Sequence, residues 1–593
     1  VLSRTLVPTL AMLLMEGGAG RSSGPAWLAR ASTRFDASFE RLRGAYLLIL
    51  SAILARRRRF ATGFLGFCLA SLLLVPFLGQ DFFPDVDAGL IRLHLRAPTG
   101  TRIEETARLS ERVDAVVREL IPPDQLGTVL DNLGLPYSGI NLSYSNSGTI
   151  GTLDGEIQIA LKPGHRDTRE FVRKLRAELP GRFPGIEFFF QPADIVTQIL
   201  NFGLPAAIDV QFVGANLAEN FAAAARLQTA VRQIPGAVDV HIQQRMDEPG
   251  LQVDIDRSRA QQVGMSAADV AQNLLLTLSG SFQTAPSFWL NPKNGIVYNL
   301  AAQSPQYRID SVDSLLSTPV GAGGRAGPPQ LLGNLVRVSP EREMAVVSHQ
   351  DIAPVVDLYV SVDGRDLGAV ATQVQKRVDE VRASLPRGSR VVLRGQVRTM
   401  QGSFLGLGIG LVMAVVLVYL LIVVNFQSWT DPAIIISALP AALAGIAWML
   451  FLSGTTLSVP ALTGAIMTMG VATANSILVV AFARERMRAG CPALSAALEA
   501  GATRLRPVLM TALAMIVGMI PMALGLGEGA EQNAPLGRAT IGGLLFATVS
   551  TLFFVPVIFA MVHRRQHRSL QAGTMLNPTP QNPTPQDRSS QDV

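Results

Sequence analysis

The sequence predicts an α-helical transmembrane bundle joined to an outer α+β lobe built of split βαβ (ferredoxin-like) units. Three observations point there. Of 593 residues 48% are hydrophobic and only 16% charged, where an average soluble domain carries about 25% charged residues. Stretches of ~20 mostly apolar residues, the length that crosses a bilayer, stand at both ends of the chain. Between them, residues 80–403 alternate strand-like and helix-like periodicities instead.

Taken in order, residues 1–15, "VLSRTLVPTLAMLLM", read as the end of a membrane helix. Arg4 and Pro8 break the apolar core that a signal peptide needs. The chain is therefore expected to be truncated at its N-terminus. Residues 16–59 form a cytoplasmic loop. In it Phe35, Phe39, Leu42 and Tyr46 recur at helical spacing, with Arg34, Asp36, Arg41 and Arg43 elsewhere, which describes an amphipathic helix lying on the membrane surface. A membrane helix follows at residues 60–79. Five more are expected within residues 404–562, at 404–424, 433–452, 461–483, 507–526 and 540–562. Pro521 is tolerated inside one of them because neighbouring helices satisfy the freed carbonyl.

Arginine placement sets the orientation. "ARRRRF" precedes the 60–79 helix, Arg484, Arg486, Arg488, Arg504 and Arg506 separate two later ones, and Arg564, Arg565 and Arg568 follow the last. The loops "SGTTLS" and "GEGAEQNAPL" hold no Lys or Arg. The basic loops are thus cytoplasmic and residues 80–403 lie outside. The tail, residues 563–593, is polar, Pro-rich and repetitive, as disordered segments are.

The outer region reads as two β-α-β-β-α-β patterns. The first, residues 80–206, contains the strand "GLIRLHLRAP", a helix opened by Thr99 or Thr101, the strands "GTVLDNLG" and "GEIQIALKP", a second helix and "GIEFFFQP". The second uses residues 207–247 and 344–400 and is split by an insertion at 248–343. "FFF" at 188–190 reads as alternating strand core.

Several chemistries drop out. "GAGGRA" at 321–326 is followed by Pro328 and Pro329 instead of a helix, so it is no dinucleotide fingerprint. No phosphate-binding loop is present. Cys68 and Cys491 offer no disulfide framework. His94, His165, His241 and His349 lack zinc-ligand spacing, and no methionine stands between Met15 and Met246, so no thioether relay for soft metals serves the first outer unit. No enzyme site, metal or cofactor is expected, and the basic charge reports membrane topology, not a nucleic-acid partner.

The stretches "FFPDVDAG", "VDIDRSRAQQVGMSAADV", "GVATANSILVVAFARERM", "AGATRLRPVLMTALAMIVGMIPMALG" and "GGLLFATVSTLFFVPVIFAMVHRR" together resemble the C-terminal half of a resistance–nodulation–division (RND) efflux transporter of the acriflavine-resistance type. The resemblance implies a multi-pass inner-membrane permease with a periplasmic porter domain and a funnel insertion. It implies a homotrimer working with a periplasmic adaptor (membrane fusion) protein and an outer-membrane channel, and export of small amphiphilic compounds by proton antiport. It also places Ala474 where the family's buried lysine stands. Asn475, Thr511 and Arg504 match polar positions of the proton path, with Thr473 and Ser476 beside them. Leu130, Leu135, Tyr137 and Gln158 match the substrate pocket. Because no residue of 404–424 or 461–482 is Asp, Glu, Lys or Arg, hydrogen bonding is all that Asn475, Thr473, Ser476 and Thr511 offer. Helix–helix glue is the competing role. The missing lysine also leaves open a sensor or assembly protein without proton coupling, and other cargo such as a lipid or metabolite.

Overall fold

The computed structural model describes residue 9 and residues 26–136, 148–282, 285–321, 329–527 and 529–563. The chain enters through α1 (Ala26–Ala55), which runs almost directly into α2 (Arg57–Leu72). Helix α1 extends well beyond the amphipathic stretch that the sequence marks. Phe35 and Leu42 are exposed, whereas Tyr46, Leu50 and Leu54 are buried. Tyr46 Oη donates to the Leu552 carbonyl at 2.8 Å, and the Arg506 guanidinium lies over Phe39. Half of this face therefore packs on protein.

The first outer unit contains β1 (Leu90–Arg96), α3 (Ile103–Leu120), β2 (Leu126–Leu133), β3 (Asp154–Leu161), α4 (Thr168–Arg182) and β4 (Glu187–Gln191), with the short α5 (Ile195–Leu200) after it. Its sheet order is β2-β3-β1-β4, antiparallel throughout. Alternation along β1 turns Ile91, Leu93 and Leu95 into a core with Val113 and Val117 of α3 and Phe171 and Leu175 of α4. Arg92, His94 and Arg96 take the other face. Neither Thr99 nor Thr101 caps α3: the cap position is Arg102, without a side-chain hydrogen bond, and Thr101 Oγ1 donates to the Pro98 carbonyl instead.

The second unit opens with β5 (Ile208–Val213), α6 (Leu217–Val231) and β6 (Ala237–Ile242). The chain then leaves along β7 (Glu248–Ile255), passes through β8 (Ser287–Leu290), β9 (Val297–Leu300), β10 (Pro319–Val320) and β11 (Gln330–Leu331), and returns along β12 (Val336–Glu343). Strands β7 and β12 pair antiparallel, so the insertion departs and returns side by side. β13 (Ser348–Gln350), β14 (Ala353–Val362), α7 (Leu367–Arg382) and β15 (Arg390–Gly395) complete the unit. The sheet order is β13-β14-β5-β15, with β6 also on β14.

Helix α8 (Gln396–Phe426) leaves β15 without a linker, followed by α9 (Thr430–Ile436), α10 (Leu439–Leu452), α11 (Val459–Arg488), α12 (Ala493–Leu524) and α13 (Ala534–Val549). A π-helical turn at Ser550–Phe554 carries α13 onward to His563. Among the described residues, six helices are long and apolar enough to cross a membrane. Close contact of α10 and α13 needs small residues: a Cβ at Gly542 would overlap the Met449 side chain and the Gly445 carbonyl. The exit of α2 is stitched to the outer lobe. Gln80 N–H donates to Asp366 at 3.0 Å, and Asp81 accepts from Leu367 N–H at 2.7 Å, both at the start of α7.

Candidate functional site

In the bundle, Asn475 on α11 and Thr511 on α12 are brought together. Thr511 Oγ1 lies 3.1 Å from Asn475 Oδ1, with the Pro507 and Val508 carbonyls also in reach. Asn475 is buried, while Thr511 and Ala474 are exposed, so the pair borders an open face of the bundle. Thr473 and Ser476 do not join it. Thr473 bonds back to the Met469 carbonyl of its own helix at 2.8 Å. Ser476 meets Thr551 of the π-helical turn at 3.0 Å. Arg504 sits with its guanidinium over the Phe482 ring, 5.2 Å from the centroid. Of these residues, Asn475 with Thr511 and Arg504 with Phe482 make contacts across α11–α12, and Ser476 makes a separate one to the π-helical turn after α13.

In the first outer unit, Leu130 and Gln158 face each other across β2 and β3 and both line a cavity of about 440 Å³. Its floor is polar. Arg92 Nη2 donates to Glu156 at 2.7 Å, and Gln158 Nε2 donates to the other oxygen of Glu156 at 2.7 Å. Leu90, Ala160 and Asn132 complete the wall that matters here, while Ile91 and Ile159 turn into the core. Leu135 is exposed and is not among the lining residues. Tyr137 lies outside the described residues. A second cavity, about 300 Å³, opens between the two outer units and includes Asp81, Asp85, Asp87, Asp194, Arg169 and Arg176.

Two clusters escaped sequence reasoning. In the outer lobe Arg96 grips Asp154 with two nitrogens, at 2.8 and 3.0 Å. It also donates to the Ile242 and Gln243 carbonyls of the second unit. His94 Nε2 lies 3.3 Å from the same carboxylate. The Phe189 ring is stacked between His94 and His241, with centroids at 4.2 and 3.7 Å. Burial would raise the Asp154 carboxyl; His94 and Arg96 more than offset it and hold it below its ordinary range. Burial lowers both imidazoles, that of His241 to about 3. His94 is therefore neutral at neutral pH, and Arg96 supplies the charge that Asp154 needs. At the other end of the molecule, buried Asp431 joins three helices: Arg484 of α11 at 3.0 Å and His563 beyond α13 at 3.2 Å. Its residues are far apart in sequence, and the positive-inside pattern already accounted for the arginine.

The chain is 26% identical over 528 residues to the nickel-cobalt-cadmium resistance protein NccA of Alcaligenes xylosoxydans xylosoxydans, covering 86% of this chain and 47% of that protein. It is 27% identical over 506 residues to the cobalt-zinc-cadmium resistance protein CzcA of Cupriavidus metallidurans, covering 82% and 45%. It thus spans about half the length of the curated relatives it matches. In fold it resembles the X-ray crystal structure of a heavy metal efflux pump, with a TM-score of 0.73, 24% identity, and coverage of 89% of this chain and 53% of that one. The family model described as the AcrB/AcrD/AcrF family matches residues 1–563, and the chain belongs to that family.

Proposed function

We propose that this chain is part of an RND efflux permease of the inner membrane that exports small amphiphilic organic compounds by proton antiport. The observation that carries the cargo is the wall of the 440 Å³ cavity. Ligand pockets of ~300–1,000 Å³ pair an apolar lining with a few placed polar groups. Here Leu130 and Leu90 supply the first and Gln158 and Asn132 the second, while Glu156 is already committed to Arg92 and Gln158. The two four-stranded patterns act as split βαβ subdomains of a periplasmic porter domain, and the β7–β12 insertion as its funnel. Asn475 and Thr511 orient water or acids contributed by parts of the full-length protein outside this chain. The working unit is a homotrimer with a periplasmic adaptor and an outer-membrane channel.

A second reading has its own support: the relatives named above are nickel, cobalt, zinc and cadmium resistance proteins, so a divalent metal ion is the rival cargo. Cells lacking their own pumps, expressing the full-length protein, decide between them. On the organic reading, cationic dyes accumulate several-fold less. An ionophore that collapses the proton gradient abolishes the difference, and Leu130→Trp changes which dyes are affected. Resistance to cobalt, zinc or cadmium with unchanged dye accumulation would replace the organic reading with the metal one.

A further inference from the structure

The second outer sheet also has a face turned away from its helices, and two acids stand on it. In the antiparallel pairing of β5 with β14, Asp357 lies opposite Gln211 and Tyr359 opposite Asp209. Asp209 and Asp357 are therefore diagonal neighbours on one face, a spacing at which side chains still interact. Neither meets water appreciably, with 0% and 4% exposure. Asp357 is well supplied: Gln211 Nε2 donates to one oxygen at 3.0 Å and Gln244 Nε2 to the other at 2.6 Å. Neither oxygen of Asp209 receives a hydrogen bond, and Gln211 Oε1, two residues along the same face, has no donor either. Rotating the Gln211 amide would only transfer the shortage from Asp209 to Asp357.

The neighbours do not balance two negative charges. Arg394 of β15 stands opposite Asp209 in the register, but its guanidinium turns to Asp351 at 3.9 Å and its Nε is unpartnered. Tyr359 offers a phenol that burial, then Asp209 and Asp357, push well up. His241 of β6, whose ring lies 5.6 Å from that of Tyr359, is held neutral by burial. Two adjacent carboxylates out of water with one averted cation cannot both ionise. A proton on Asp209 turns one oxygen into a donor next to the orphaned Gln211 Oε1 and removes one of the two charges.

We propose that Asp209 and Asp357 form a proton-binding site of the outer lobe and hold one proton between them at neutral pH. Burial and then the Asp357 charge raise Asp209 well above the ordinary carboxylate range, and burial raises Asp357 as well, in keeping with that geometry. The site is wired to the insertion. Gln244 follows β6 and bonds both Asp357 and Ser348 of β13, so it ties the two ends between which residues 248–343 are inserted. Loss of the proton would place repulsion at that junction.

Infrared spectroscopy of the detergent-solubilised chain, through the carbonyl stretch of protonated carboxyl groups, tests this between pH 5 and 8. The wild type is expected to keep a protonated-carboxyl band at pH 7 that Asp209→Asn lacks, because one acid alone ionises against Arg394. Asp357→Asn should lose the same band, and it serves as the test if Asp209→Asn fails to fold. A wild-type band at pH 7 that survives in the folded variants overturns the proposal. So does its absence from the wild type, as does a zinc- or sodium-dependent rise of the thermal midpoint that Asp209→Asn abolishes, which would make the pair a cation site.

Discussion

The two outer units share a strand order, yet they treat their buried polar faces in opposite ways. In the first, every acid of the inner face meets a cation: Glu156 with Arg92 and Asp154 with Arg96. In the second, Asp209 and Asp357 sit side by side among amides, and Arg394 looks elsewhere. Topology decides where a buried polar face falls, because side chains alternate along each strand. It does not decide how the charge is neutralised. One unit does so with guanidinium groups that never titrate, the other with a proton that can leave. The ion pairs of the first should therefore keep their charges across neutral pH, whereas the acid pair of the second responds to it.

The largest effect expected from breaking this comparison is at Arg96. Arg96→Ala leaves Asp154, 0% exposed, with His94 and the Ile150 N–H but no permanent charge. Removing one partner of a buried pair costs on the order of 3–5 kcal/mol, to be read as a lower thermal midpoint of the purified chain. Arg96→Lys should recover only part of it, because an ammonium cannot reproduce the two-nitrogen grip.

Next in size is the pH dependence, and its sign differs between the units. His94 and His241 are lowered by burial, so their contribution is complete above the unfolded value of about 6.5. It is lost as pH falls toward about 3, the value to which His241 is held. The raised acids of the second unit act the other way: the folded state keeps a proton that the unfolded chain releases, so stability declines as pH rises above the ordinary carboxylate range. Mild acid should loosen the first unit and the His94–Phe189–His241 stack that joins it to β6 of the second, while relieving the Asp209–Asp357 pair. Hydrogen exchange resolved by peptide, expressed as protection relative to the intrinsic amide rate at each pH, would show lower protection at pH 5 than at pH 7 in β1 and β3 and higher protection in β5 and β14. His241→Phe should flatten the acid limb; an unchanged limb would mean that the stacked histidine is not what titrates.

Much of this frame could be read before any coordinates. The apolar runs located the bundle, and the alternating run "GLIRLHLRAP" marked β1. Boundaries were less legible. The apolar span expected at 507–526 lies largely within a longer helix, α12, which begins at Ala493 because "ALSAALEAGATRLR" is rich in helix formers, with Pro507 inside it. The family resemblance matched Asn475 and Thr511 to one polar path without pairing them; they lie 3.1 Å apart, whereas Thr473 and Ser476 turn to other partners. Scattered histidines looked unrelated because ligand spacing was the only pattern sought. His94 and His241 meet through Phe189, which stands in a run that reads as ordinary strand core. The acid pair was invisible for the same reason: Asp209 and Asp357 become neighbours only when β5 pairs with β14.

The smallest expected effect concerns the contacts that hold the units together. Besides Arg96, Arg173, Arg176 and Arg245 bridge them, Arg173 of α4 reaching Asp363 at 2.8 Å. Arg176 of α4 reaches Asp239 and Asp363 at 2.8 and 2.9 Å, and Arg245 reaches Glu187 of β4 at 2.7 Å. They differ in burial: Asp239 is 3% exposed as a side chain and Glu187 42%. An ion pair open to water contributes about 0–1 kcal/mol and weakens with salt. Arg245→Ala should therefore barely move the thermal midpoint, and what it does move should vanish in high salt. Arg176→Ala should fall between it and Arg96→Ala, because it leaves Asp239 buried without its guanidinium. If Arg245→Ala proved as damaging as Arg96→Ala, burial would not be what ranks these contacts. The contrast between a permanently charged first unit and a protonated second would then need another cause.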